Sequence, residues 1–430
     1  MKRNEWIGRA LRILAWGFLI IWSAVLIAGC GDDDDDHHGP RVKVTIASPS
    51  DEGNYVHGTA VTFEGTAEDR LGNALTGDAL VWTSSIDGEI GKGESTEFDG
   101  LAMGRHEIML TATDSQGKVG VDAISIKVRK AYPDSVVRTI WMKPGALSLA
   151  AAPDGESVYA TSYESDLVCV VSVAKNKYTK TIPVGRAPYG IAVSPDGRSA
   201  YVANMYDDTL SIISLVSYEV TGTIPVGDGP FGVAVTADGK YVCVSNADDN
   251  TVSVVSTLTK MVAGTIPVGA WPHGLALKPG GGSYMYVANA WGNSITVVSL
   301  STNAVVETIS LPWCPFYIVP TPDGSRLYVS NHNYDKVSVI ETVGYTVVAD
   351  IPVGAEPYCL AMTSDGGYVY VTSQGNDSVS VIQTSDNTVV DVIPVGEDPY
   401  GIAITPDDSR VYVANSHGGA ETITVIGYPE

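Results

Sequence analysis

One phrase recurs along the chain. Residues 182–204 read IPVGRAPYGIAVSPDGRSAYVAN, and close copies start at Ile224 and Ile393. Units begin at Ile140, Ile182, Ile224, Ile266, Ile309, Ile351 and Ile393, at intervals of 42, 42, 42, 43, 42 and 42. A unit of this length cannot bury its apolar faces alone, so neighbouring copies must cover them. In the unit starting at Ile182, alternating β-branched residues mark four strands: GIAVSP (190–195), SAYVAN (199–204), TLSIIS (209–214) and YEVTGTI (218–224). Four strands per 40–45 residues predict a β-propeller, and seven units predict seven blades.

The ends of the array bear on closure. The seventh unit stops after TITVIGYPE (422–430) and lacks a fourth strand. Ahead of the first unit, DSVVRTI (134–140) matches NTVVDVI (387–393). The 134–140 strand is therefore expected to complete the last blade, so that a propeller over 131–430 has no free sheet edge. The YVAN and IPVG…PYGIAVSPDG phrases resemble the YVTN family of surface-layer-type β-propeller repeats, over residues 135–430. That resemblance implies the fold and a cell-surface habit, and no particular activity.

The rest of the chain adds an address and a second domain. Lys2, Arg3, Arg9 and Arg12 precede an apolar run from Ile13 to Ala28, followed by Gly29-Cys30. A basic start, an apolar centre and small residues at the end predict a secretory signal peptide over 1–29. Its ending resembles a bacterial lipobox, which implies a lipidated Cys30 and a membrane partner held through that anchor. Residues 30–40 (CGDDDDDHHGP) read as an acidic tether. Gly31 after the cysteine, by resemblance to lipoprotein sorting in enteric bacteria, implies the outer membrane or cell surface. Residues 41–130 hold alternating segments such as VTFEG (61–65), ALVW (79–82) and HEIMLTA (106–112), separated by Gly, Asp and Asn. About seven short strands in this span predict a β-sandwich. LVWTSSIDGEIGKG…GRHEIMLTATDSQGK resembles bacterial immunoglobulin-like (Ig-like) surface domains, with Trp82 where such sandwiches bury an aromatic. KAYPD (130–134) reads as a linker. The expected fold class is thus all-β: a seven-bladed propeller behind an N-terminal Ig-like β-sandwich.

Charge narrows the partners. The chain carries −23 formally; four cations against Glu5 make residues 1–29 +3, leaving −26 on the remainder. With no basic stripe, it repels phosphate backbones, and no nucleic acid partner is expected. The five cysteines (30, 169, 243, 314, 359) form no CxxC or CxxCH, so zinc-ribbon and c-type haem sites have no support. A disulfide between Cys314 and Cys359, near each other in adjacent units, is left open.

Function is expected where the copies disagree. The turns between first and second strands read PDG or close to it, which is turn chemistry. The opposite loops vary. After their proline come Tyr189, Phe231, His273, Phe316, Tyr358 and Tyr400, with Leu147 in the first unit: a packing ring, or a channel mouth lined with stacking surfaces. Units four and five depart furthest, with Trp271, His273, Trp291, Trp313, Phe316, Tyr317, His332 and Tyr334 as ligand-binding candidates. Pro320 suggests a distorted inner strand there. The repeats contain His273, His332 and His417, too far apart in the ring for one three-His site, and no metal or cofactor is expected. No nucleophile elbow, P-loop or dinucleotide motif is present. The leading expectation is a non-enzymatic, lipid-anchored envelope scaffold that presents a propeller face to a protein or glycan. The alternative is a propeller enzyme, a lactonase-like hydrolase or a lyase, with its site on the same face.

Overall fold

The structure, a computed structural model, describes residues 42–142, 145–281, 283–416 and 421–428. The signal segment, Cys30, the acidic tether and His417 lie outside the described residues. The chain divides into two compact units between Val128 and Arg129.

In the first unit, two antiparallel sheets share one core. One joins Lys43–Ser48, Val61–Glu68 and Ala74–Leu75, with Ser95–Phe98 also on Val61–Glu68. The other runs Gly53–Val56, Val119–Arg129, Gly104–Thr113, Leu80–Ser84, Gly88–Lys92. Strict alternation in VTFEGTAE sends Val61, Phe63, Gly65 and Ala67 inward. Phe63 meets the fully buried Trp82 at 5.6 Å. The Trp82 indole N–H donates to the Gly93 carbonyl at 2.9 Å, so burying the ring leaves no donor unpaired. Gly65 is required beneath it, because a Cβ there would lie 3.1 Å from the Trp82 ring.

In the second unit the described residues form seven four-stranded antiparallel sheets. The sheet containing Pro188–Val193, Ser199–Asn204, Thr209–Ser214 and Glu219–Pro225 shows the pattern, each strand pairing with the next in sequence. The sheets are numbered here by their inner strands: Leu149–Ala151, Pro188–Val193, Pro230–Val235, Pro272–Leu277, Pro315–Pro320, Pro357–Met362 and Pro399–Ile404. Each inner strand packs on the next, and the seventh packs on the first, so the sheets close a ring. This is a β-propeller. In the seventh sheet the outer strand is Ser135–Trp141, paired antiparallel with Thr422–Gly427.

Each core lies between two sheets. Val168, Val170 and Ile182 of the first sheet meet Ile191, Val202 and Ile213 of the second in one buried cluster. Burying each such side chain stabilises the fold by about 1.5–3 kcal/mol. The recurring words of the repeat prove to be contacts. Asn204, ending YVAN, donates to Thr209 Oγ1 and Ser211 Oγ and accepts the Gly185 N–H of IPVG. Asn246, Asn289 and Asn415 bond the hydroxyls of Ser or Thr five and seven or nine residues on in the same way. The VG glycine is where this Asn packs. On the turn face, a Ser or Thr donates to the turn Asp in five of the seven sheets, as Thr321 does to Asp323 at 2.5 Å. These hydroxyls hold Asp238 and Asp323 down to about 2.

Two local expectations change. KAYPD is packed rather than free: Lys130 pairs with Asp134 and Asp391, Tyr132 is buried against Tyr368, and Tyr370 donates to the Pro133 carbonyl. Pro320 does not distort its strand; it is the last residue of Pro315–Pro320 and pairs in register with Leu327. The bulge after Pro315 recurs in the other long inner strands. The one 43-residue interval reflects an extra residue in the Gly280–Gly281 turn between Leu277 and Tyr284, away from the variable loops.

Gly269→Ala places a Cβ 2.6 Å from the Asn289 amide carbon. The expected cost is about 1–3 kcal/mol in urea unfolding; an unchanged midpoint would show that the Asn–Gly contact can yield freely.

Candidate functional site

The variable loops meet at the propeller axis. Tyr189, Phe231, His273, Phe316, Tyr358 and Tyr400 each follow a proline that starts an inner strand. Their backbones are held by the preceding sheet: Thr161, Ser245, Ser330 and Thr372 hydroxyls donate to the carbonyls of Tyr189, His273, Tyr358 and Tyr400 at 2.6–2.8 Å. Successive ring centroids lie 3.7, 3.5, 4.3, 5.4 and 5.1 Å apart. The Tyr189 and Tyr358 hydroxyls, four sheets apart in sequence order, hydrogen-bond to each other. The six rings thus pack on one another around the axis at this end. Burial pushes the Tyr189 and Tyr358 phenols up, so they stay protonated.

His273 belongs to this plug. It is 1% exposed, and its Nδ1 has no hydrogen-bond partner among the described residues. Burial, then the nearby His332, push its imidazole well below its ordinary value, so it is neutral. His332, also pushed down by burial, packs on Phe316 at 4.7 Å.

Outside the plug, the fourth and fifth sheets carry the exposed aromatics. Trp291 is 69% exposed and stacks on half-buried Trp271 at 4.4 Å with 14° between planes. Trp271 reaches inward to His273 at 4.8 Å and Phe316 at 6.2 Å. Its φ of +55° is a feature of the loop: Ala187, Gly229, Glu356 and Asp398 share that conformation. In each case the backbone N–H donates to an Asp or Asn side chain of the preceding sheet, Asn250 for Trp271. Trp313 pairs with Tyr334 at 4.7 Å, and Lys336 Nζ lies 4.5 Å from the Trp313 centroid. Tyr317 is turned inward against Gly274, where an added Cβ would be 2.8 Å away. The candidates therefore fall into two loop-surface pairs with one exposed member each, Trp271–Trp291 and Trp313–Tyr334, and an inner set of His273, Phe316, Tyr317 and His332. Sequence position alone did not separate them, because ring packing turns some side chains inward and leaves others on the loop surface.

Cysteine chemistry is absent from this face. Cys314 and Cys359 are free thiols, so the disulfide left open above is not formed. Burial pushes the Cys359 thiol up to about 11 and those of Cys169 and Cys243 up to about 12, which keeps them unreactive. In the first unit, Ser84, Asp87 and His106 come together unannounced by any motif. Ser84 and Asp87 both approach Nδ1, while Nε2 is taken by the Ala102 carbonyl at 2.7 Å. A relay needs one partner on each nitrogen, so this is a buried polar knot and not a triad. Among the described residues no group of three His, Cys, Asp or Glu side chains could hold a metal, and no helix is long and apolar enough to cross a membrane.

Comparison with known proteins agrees on the fold. A family model described as YNCE-like beta-propeller matches residues 165–281 and 227–367. Among solved structures, a chain of Kuenenia stuttgartiensis Hydrazine Synthase aligns with a TM-score of 0.60 and 23% identity, over 66% of this chain and 96% of that one. At that identity the likeness is one of fold alone. No curated protein matches.

The neutral His273 makes stability depend on pH. Its folded value lies below the ordinary 6.5, so the unfolded chain takes up the proton first as pH falls. Stability should drop below about pH 6.5, by up to about 1.4 kcal/mol per pH unit for this group. His273→Phe, the residue found at 231 and 316, should flatten that slope between pH 4.5 and 6.5. An equally steep profile in the variant would remove His273 as its source.

Proposed function

We propose that the chain is a lipid-anchored cell-envelope protein whose propeller presents an aromatic face to a glycan or protein ligand, and that it works by binding rather than by catalysis. In this reading residues 1–29 are a signal peptide, Cys30 carries the lipid, 30–40 are a tether, and an Ig-like sandwich over 41–130 serves as a stalk. The seven sheets are the blades of a YVTN-type propeller, and the protein sits at the outer membrane or cell surface. The basic-apolar-small order of residues 2–30 supports the anchor. The alternation around Trp82 supports the Ig-like reading.

One observation carries the binding reading: the flat, 69% exposed Trp291 stacked on Trp271 beside the Trp313–Tyr334 pair. A stacked pair of indoles offers the flat apolar surface that a sugar ring or a planar side chain fits. The Lys336 ammonium near Trp313 supplies a polar edge that orients a ligand.

Two measurements test this. A glycan array and a surface-protein pull-down on the wild-type chain should yield a ligand whose affinity falls at least about fivefold in Trp291→Ala. Ligands unaffected by that change would place the site elsewhere. Metabolic labelling with a radiolabelled fatty acid should mark the wild type and not Cys30→Ala; equal labelling of both would remove the anchor.

A further inference from the structure

The aromatic plug has a gap. The first sheet supplies Leu147 where six others supply a ring, and at that seam a cavity of about 320 Å³ opens between Tyr189 and Tyr400. Its wall also includes Tyr163, and its rim carries Glu164 and Glu421. Tyr163 spends its hydroxyl on Tyr206 at 2.6 Å, which leaves its ring as a wall. The seam is three sheets around the ring from Trp271, so the cavity is separate from the exposed tryptophans.

Glu421 is the informative residue. It precedes the third strand of its sheet, Thr422–Gly427, and its carbonyl accepts the Met142 N–H at 3.0 Å. At the same position elsewhere, Asp166 and Asp208 accept backbone N–H groups at Val184 and Val226, and their carboxylates then bind the next loop at Ala187 and Gly229. Those carboxylates are consumed in stitching one sheet to the next. Glu421 has one more methylene, and its carboxylate lies over Gly145, where no Cβ would fit. Among the described residues it has no hydrogen-bond donor and no cation. Burial and the proximity of Glu164 both push its acid up.

We infer that this cavity binds an organic cation, an ammonium or guanidinium group lying against tyrosine faces and countered by Glu164 and Glu421. Aromatic faces attract cations through their quadrupoles. The charged residues among the described lining are Glu164 and Glu421, both carboxylates, which suits a cation. Two carboxylates fall short of the six to eight oxygens that calcium takes. The volume lies at the lower end for small-ligand sites, which suits a compact amine or one inserted side chain.

The test is calorimetric titration of the full chain with benzyltrimethylammonium, with a tetralysine peptide, and with benzyl alcohol as the uncharged control. At least one cation should bind, benzyl alcohol should not, and Glu421→Gln and Glu164→Gln should each weaken the cation about tenfold or more. Trp291→Ala should leave this binding unchanged, which separates it from the glycan-face reading. Binding of the small ammonium alone identifies a free amine as the ligand type; binding of the peptide identifies a partner's side chain. Silence from both cations, equal binding of benzyl alcohol, or indifference to both Glu→Gln changes overturns the proposal. Displacement of the ammonium by micromolar calcium overturns it in favour of a metal site.

Discussion

Every sheet of the ring is apolar on both faces, and that constraint governs the second unit. A two-faced sheet can be covered only by another like itself, so each core belongs to two sheets, as when Tyr201 and Ile212 pack on Val242 and Val255. The stack must then return to its start or leave an apolar face in water. Closure through Ser135–Trp141 on Thr422–Gly427 ties the two ends of the array into one sheet, so that fraying at either end disrupts the same hydrogen-bond ladder. Directional bonds set the angle between sheets that apolar contact alone would leave soft. Ser245 illustrates them: its hydroxyl accepts the Gly232 N–H within its own sheet and donates to the His273 carbonyl of the next.

These bonds also explain why one face is uniform and the other is free to vary. On the turn face, Thr363–Asp365 and Thr405–Asp407 repeat the same local hydrogen bonds, and the side chains are spent on them. On the opposite face the stitches run through backbone groups and one Asp or Asn per loop. Neighbouring positions are released from structural duty, which is why Trp291 and Tyr334 can be large and exposed there. The two sites proposed on this face arise by different departures from the repeat. At one, exposed aromatics are added to intact loops. At the other, an aromatic is missing and a stitching carboxylate is freed.

Much of the fold was legible because hydrophobic periodicity and turn residues are local signals. SAYVAN and TLSIIS read as strands from alternation, and both are strands, Ser199–Asn204 and Thr209–Ser214. The site was legible only in part. That residues 271–273, 291, 313–317 and 332–334 depart from the repeat is plain in the text of the sequence. That Trp291 faces solvent while His273 is 1% exposed is not, since both are large residues in adjoining variable loops. The role of Glu421 was hidden for the same reason: its significance lies in what the Asp at other seams binds across space.

The sequence by itself determined the repeat, its strand pattern, the net charge and the face on which copies differ. These follow from nearest-neighbour chemistry: alternation sets which side of a strand is apolar, and Gly, Asp and Asn set turns. Only the tertiary structure decided that Tyr189 meets Tyr358, residues 169 apart in the chain, that six rings pack around the axis, and that a gap remains beside Leu147. Those outcomes depend on how seven side chains share one small volume around the axis. No residue carries that information alone, because the space left to each is fixed by the size of the other six.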